Sequence, residues 1–178
     1  MKITRAWAMP NKNTFSIKPI SELIDRYYTP SISLNGAVID PFANNAWDIK
    51  DPYNFIVTND LDPSYNTTEH KDALDFMKDF IDESVKMVFY DPPYSPRQVS
   101  ECYKSLDMTV NMQTTQSSYW GNQKKEISRI VKQGGYVITC GWNSGGIGKT
   151  NGFEIVEILL VAHGGWHNDT IITVERKL

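Results

Sequence analysis

A mostly parallel α/β sheet, with helices on both faces and an antiparallel C-terminal hairpin, is the fold this sequence predicts. Three observations predict it. Short apolar runs alternate with amphipathic helical stretches, the pattern of strands joined by crossover helices. Three of those runs end in an aspartate, Asp40, Asp60 or Asp91, at what would be one edge of the sheet. The last two runs, 153–161 and 170–175, are separated by only eight residues, too few for a crossover helix, so they should pair as a hairpin.

The elements follow in order. Ile17, Ile20, Leu23, Ile24 and Tyr27 form one stripe over residues 17–28, with Ser21 and Glu22 opposite, which predicts a helix stopped by Pro30. Residues 36–40 and 54–60 read as short strands. Leu74, Met77, Phe80 and Ile81 predict an amphipathic helix over 71–83. Residues 85–91 read as a third strand. Ser117-Ser118 can cap a helix to about Lys132, with Trp120, Ile127, Ile130 and Val131 facing inward and Gly134-Gly135 ending it. Residues 136–140 are a fourth strand, and the hairpin completes the sheet with its reversed strand at the end. Ser95 to Gly121 carries few patterns. Its uncharged polar residues, Gln98, Asn111, Gln113, Thr114, Thr115 and Gln116, suit substrate contact, a lid that orders on binding, or a surface loop.

Composition bounds the rest. The 178 residues suit one domain spanning 1–178, with no internal repeat and no room for a second. No apolar run approaches about 18 residues, which argues against a membrane span, and Met1 is not followed by an apolar leader. Cys102 and Cys140 lie far apart, outside any CxxC pattern. That favours a reducing, cytoplasmic setting and no metal site. The net charge of −3 is unevenly spread: +3 over 1–30, −8 over 31–91 and +2 over 92–178. A polyanion would have to be held by the two basic ends, although ordinary solvated faces give the same counts.

Open α/β sheets bind ligands at the carboxyl ends of their strands. Single aspartates there often only cap turns. Asp40, Asp60 and Asp91, with Asp72 beginning a helix, together favour a nucleoside-type ligand. Asp91-Pro92-Pro93-Tyr94 is the sharpest signal. The lone pair of an exocyclic base amine is delocalised into the ring, so the amine is a poor nucleophile. A carboxylate and a fixed backbone carbonyl can hold that nitrogen as it rehybridises. Two prolines stiffen the turn and remove competing donors, and the tyrosine offers an aromatic face. Arg97 follows this turn and could meet a phosphate. Trp166 and His167, in the loop His163–Asn168, could stack on a base or simply cover the core. Asn143–Thr150 ends like a phosphate-binding loop, but lacks the first glycine and precedes a strand. It is expected to form a glycine-rich rim of the site, with Lys149 touching phosphate.

At these residues the sequence resembles the amino-group DNA methyltransferases, the adenine-N6 members in particular, and small forms from phage and prophage genomes. The resemblance covers most of the chain and implies a Rossmann-like methyltransferase domain using S-adenosylmethionine. Thr14-Phe15-Ser16 looks like the N-terminal cofactor motif. Asp40-Pro41-Phe42-Ala43-Asn44-Asn45 looks like the cofactor loop, with Asn44 where glycine is usual. Asparagine tolerates the left-handed conformation such a turn needs. Asn59-Asp60 matches the ribose-binding acid, Asp72-Ala73 the adenine-contacting acid, and Lys132–Gly135 the helix end before a core strand. Asp91 and the Pro92 carbonyl would then accept from the target amine, with Pro93 rigidifying the turn and Tyr94 stacking on the base. Trp166 and His167 would border the target pocket. With no separate recognition domain, specificity must come from short insertions, from a homodimer or other partner, or be slight. The implied substrate is a nucleic acid, DNA before RNA. The rivals are an RNA base (guanine N2 or adenine N6) and a non-catalytic cofactor-binding subunit.

Overall fold

The structure, a computed structural model, describes residues 1–29, 32, 34–45, 47, 55–111 and 116–178. Its seven strands are β1 (Lys2–Trp7), β2 (Ala37–Asp40), β3 (Ile56–Thr58), β4 (Val85–Tyr90), β5 (Val131–Gly141), β6 (Phe153–Ala162) and β7 (Thr170–Lys177). The helices among the described residues are α1 (Lys18–Tyr27), α2 (Ala73–Lys78), α3 (Pro96–Ser105) and α4 (Ser117–Ile130), with 3-10 turns at Thr14–Ser16 and Lys149–Asn151. The sheet runs β1-β6-β7-β5-β4-β2-β3 and is parallel except for β7, which is antiparallel to both β5 and β6.

Both faces of the central strands are buried, and strand periodicity divides their side chains between two cores. Met87 and Phe89 of β4 face α1, packing with Phe15, Ile20, Leu23 and Ile24. Val88 and Tyr90 face the other way, against Phe76 and Met77 of α2 and Ile127 and Ile130 of α4. From β2 the chain passes outward to β3, then returns to place β4 on the other side of β2. The strand order therefore reverses between β2 and β4, which opens a crevice at their carboxyl ends.

The expected fold class is the one observed, with local differences. The edge strand β1 was not expected; its run Lys-Ile-Thr-Arg-Ala-Trp is half polar, because one face and one edge meet solvent. Helix α2 covers six residues rather than thirteen: Asp79 closes it, and Glu83 turns the chain with φ +51°. Helix α3 was missed, although Ser95 caps it, accepting from Gln98 N at 3.3 Å, and Pro96 starts it.

Gly134-Gly135 does not end α4. The helix passes into β5 at Val131, so Lys132 is strand, and the glycines lie in a bulge between the pairs Val85–Val131 and Met87–Tyr136. A Cβ on Gly135 would stand 2.8 Å from Lys132 O and 2.9 Å from Lys86 O, which requires glycine. The hairpin forms as expected, but its reversed strand β7 is interior, between β5 and β6, rather than at the end of the sheet. Pro30, Asn54 and the run Gln113–Thr115 lie outside the described residues.

Candidate functional site

The crevice at the strand-order reversal holds a cavity of about 400 Å³. Thr14, Pro41, Phe42, Asn44, Asp60, Asp72, Ala73 and Asp91-Pro92-Pro93-Tyr94 all line it. Residues from widely separated parts of the sequence are thus brought together at one sheet edge.

The loop after β2 is built by its own acids. Asp40 is fully buried and does not line the cavity. Its carboxylate accepts from Phe42 N at 2.9 Å and from Trp47 Nε1 at 2.7 Å, which shapes the turn. Burial pushes its carboxyl up to about 8 against those two hydrogen bonds, and the charges of Asp91 and Asp60 add to the rise. Asn44 adopts φ +39°, the left-handed conformation expected of it. Its N–H donates to Asp60 Oδ2 at 2.9 Å, while Asp60 Oδ1 accepts from Asp62 N at 2.9 Å. Asn59, buried, ties this loop to the next: its Nδ2 donates to Pro41 O at 3.1 Å and to Lys71 O at 3.0 Å. Asp72 caps α2 by accepting from Leu74 N at 2.9 Å and also accepts from the Tyr103 hydroxyl.

Asp91 follows the apolar β4 and is half-buried. Burial raises its carboxyl above the usual carboxylate range, and hydrogen bonds from the Tyr94 and Thr14 side chains oppose the rise. The Tyr94 hydroxyl donates to Asp91 Oδ1, and Tyr94 N donates to Gln98 Oε1 at 2.7 Å. Burial and the Asp91 charge hold the Tyr94 hydroxyl protonated. Trp120 Nε1 donates to Pro93 O at 2.8 Å, so α4 braces the proline turn from behind.

A second cavity, of about 320 Å³, lies beside the first and shares Thr14 and Tyr94 with it as a common wall. Trp166 and His167 line it, with Trp142, Asn168 and His163. Tyr94 meets Trp142 edge-to-face at 5.5 Å between centroids. His163 is a structural tie. Its Nδ1 donates to Ala8 O at 2.8 Å, which leaves Nε2, 2.8 Å from Thr170 Oγ1, as acceptor when the ring is neutral. It joins the end of β1 to the start of β7.

Besides Asp40, which was expected to hold the cofactor and instead shapes its turn, three expected site residues lie elsewhere. Phe15 is in the core, stacked on Trp47 at 5.4 Å, because its neighbour Thr14 takes the cavity-facing position. Arg97 points to solvent on α3, paired with Glu101 at 2.7 Å, and lines neither cavity. Lys149 precedes β6 and therefore sits at the opposite, amino-end edge of the sheet, where Ser128 Oγ donates to Asn151 O at 2.7 Å. The glycine-rich segment is not a rim of the site. Its amides hold an internal anion: Ile147 N and Gly148 N donate to the Glu175 carboxylate at 2.5 and 2.9 Å.

Sequence reasoning missed Lys12, Tyr65, Cys102, Tyr103, Leu106 and Tyr119, all of which line the first cavity beside Gln98. The i,i+4 pairs Val99–Tyr103 and Cys102–Leu106 were the available signal for α3. Burial pushes the Tyr119 hydroxyl up to about 12.

The architecture is that of the Rossmann-like methyltransferase fold. Among solved structures, yhhF of Escherichia coli, a candidate methyltransferase, aligns with TM-score 0.57 and 8% identity, covering 95% of this chain and 89% of its own. HI0767 of Haemophilus influenzae, a candidate methylase, aligns at 0.54 and 10% identity, covering 90% and 98%. The 1,6-didemethyltoxoflavin-N1-methyltransferase of Burkholderia thailandensis, with S-adenosylhomocysteine bound, aligns at 0.52 and 11% identity, covering 90% and 77%. At such identities the likeness is one of fold. No protein-family model and no curated protein sequence matches the chain.

Proposed function

We propose that the chain transfers a methyl group from S-adenosylmethionine to an exocyclic amine of a nucleobase, with N6 of adenine in DNA as the favoured target. The observation that carries this reading is the Asp91–Tyr94 turn, which lines an acid-rich cavity and, through Tyr94, walls a second one.

The first cavity suits the cofactor. Its volume lies within the range of about 300–1,000 Å³ usual for such sites. Asp60, Asp62, Asp72 and Asp91 line it, against one base, Lys12. Carboxylates suit a ligand with a sulfonium, an ammonium and ribose hydroxyls. Each Asp60 oxygen accepts one backbone N–H and keeps acceptor capacity for a hydroxyl. Asp72, Ala73, Tyr103 and Phe42 would flank the adenine, with Pro41 and Asn44 along its ribose side and Thr14 nearest the reacting end. The same fold holds S-adenosylhomocysteine in the Burkholderia enzyme.

The bound cofactor supplies an electrophilic methyl. The protein's part is to prepare the amine. Asp91 and the Pro92 carbonyl accept its two N–H bonds, which draws the nitrogen toward tetrahedral geometry with its lone pair aimed across the shared wall. The target's N–H replaces the Tyr94 hydroxyl on Asp91. As the methyl's bond to sulfur gives way to the new N–C bond, leaving S-adenosylhomocysteine, one amine proton would become acidic and pass to the Asp91 carboxylate. A carboxyl held above its usual range is a better acceptor for it. Tyr94 presents its ring to the base.

Methyl-labelled cofactor incubated with DNA and with RNA tests the reaction, and methylation mapping in a methylation-free host identifies the base. Label in DNA adenine is expected; label confined to RNA would remove DNA from the proposal. Asp91→Ala should bind S-adenosylmethionine in calorimetry yet transfer no methyl. Activity surviving that change would refute the role of Asp91. Cofactor heat without transfer to any nucleic acid would favour a non-catalytic subunit.

A further inference from the structure

The second cavity opens among exposed indoles. Trp142 is 44% exposed, Trp7 66%, and Trp166 fully. Trp142 and Trp166 line the cavity. Trp7 lies against the loop that carries Trp166, with its Nε1 3.4 Å from where a Cβ on Gly164 would stand. Three of the chain's five tryptophans therefore surround one mouth. An isolated exposed apolar residue needs no explanation, but a cluster of large rings beside a cavity does.

Charge divides the site in two. Acids line the first cavity, whereas the segments around the second are nearly free of them. Residues 1–21, which supply Pro10, Asn11, Thr14 and Ile17 to the lining of the second, hold no Asp or Glu. No Asp or Glu lines the second cavity, and the hairpin loop 162–169 holds only Asp169, which accepts from His163 N at 3.3 Å.

We propose that this mouth binds an unpaired nucleic-acid strand, with bases next to the target stacking on Trp166 and Trp7 while the target enters beside Trp142 and Tyr94. The inference rests on the reading of the target as a nucleobase and names the form of nucleic acid that carries it. An indole stacks only on an open base face, and in a duplex both faces of each base are covered. A duplex would also have to be gripped while a base is flipped out. A protein of net charge −3 is poorly built for that grip. Stacking is sequence-tolerant, because every base has a π face. Such a mouth would then admit many sites in unpaired segments.

The test uses the full chain and fluorescein-labelled 12-mers of one sequence as single-stranded DNA, RNA and DNA duplex. Fluorescence anisotropy reads binding, and labelled cofactor reads transfer. Unpaired strands should bind at least about tenfold tighter than the duplex. Trp166→Ala and Trp7→Ala should each weaken strand binding about tenfold, and the Phe variants should restore most of it. Affinity for S-adenosylmethionine should not change. The DNA and RNA arms show which unpaired strand is preferred. Equal binding to duplex, or strand binding unmoved in the Ala variants, would overturn the inference. So would Ala variants that lower only a self-associated mass in sedimentation, which would make the mouth a protein contact. Transfer to duplex with the variants unaffected would leave the functional reading standing and remove this one. Strand binding without transfer to any nucleic acid would do the reverse.

Discussion

At the scale of single residues, the carboxylates of this sheet edge divide the labour. Asp40 shapes a turn, Asp60 and Asp72 combine turn-building with a cavity face, and Asp91 stands where chemistry is proposed. Their protonation makes two predictions. If Asp91 must be ionised to accept from an amine, activity falls as pH drops through its raised value. The Tyr94 hydrogen bond lowers that value, so Tyr94→Phe should move the acid limb of kcat/KM to higher pH. A limb that stays in place would separate Tyr94 from the ionisation of Asp91. Asp40 bears on stability. Its carboxyl rises from 3.8 to about 8 on folding, so the unfolded chain ionises first. The stability it contributes is fully present below pH 3.8 and is lost as pH climbs through about 8. Asp40→Asn should lower stability at pH 5, because one of its two N–H donors loses an acceptor, and flatten the decline from pH 4 to 8. Urea unfolding across that range reads both effects. Parallel slopes would count against a neutral Asp40.

At the scale of elements, the apolar runs and their terminal acids were legible in the sequence because burial on both faces makes β4 a near-continuous apolar run and burial on one face gives α1 its stripe. What escaped had its partner far along the chain. Lys2 pairs with Glu157 across the ladder, and no local pattern announces that β1 will lie beside β6. Helix α3 carries Tyr103 to the cavity, yet its polar face dominated the reading. The glycine-rich Asn143–Thr150 was misread because a nest of amides looks the same whether its anion is a phosphate or the chain's own Glu175. Gly146→Ala tests this. The residue has φ +51°, and a Cβ would stand 2.2 Å from Glu175 Oε2. The substitution should cost about 1–3 kcal/mol of stability with cofactor affinity unchanged. Thermal unfolding and calorimetry together measure it, and a weakened cofactor with an unchanged Tm would return the loop to the site.

At the scale of the whole molecule, most of the candidate site was legible because each strand-end acid sits beside a turn-forming residue. Tyr103 and Tyr119 were not, since they reach it only once α3 and α4 pack over the sheet edge. The separation of an acidic cavity from an acid-poor mouth belongs to no single element. It predicts weak salt dependence for strand binding. With about two phosphates held, affinity should fall less than about tenfold between 50 and 200 mM salt. A loss of a hundredfold or more would point to a larger phosphate contact than the sheet edge offers.

The interior position of β7 has a consequence for how the molecule assembles. Within the sheet, every backbone hydrogen bond that joins the β1–β6 pair to the remaining strands passes through residues 170–177. The strand latest in chain order is therefore a keystone. Until it is seated, β5 and β6 present raw edges, the kind of surface that invites aggregation. Its seating also brings Thr170 to His163 and finishes the mouth lined by Trp142 and Trp166. Closing the sheet and completing the second cavity are therefore one event.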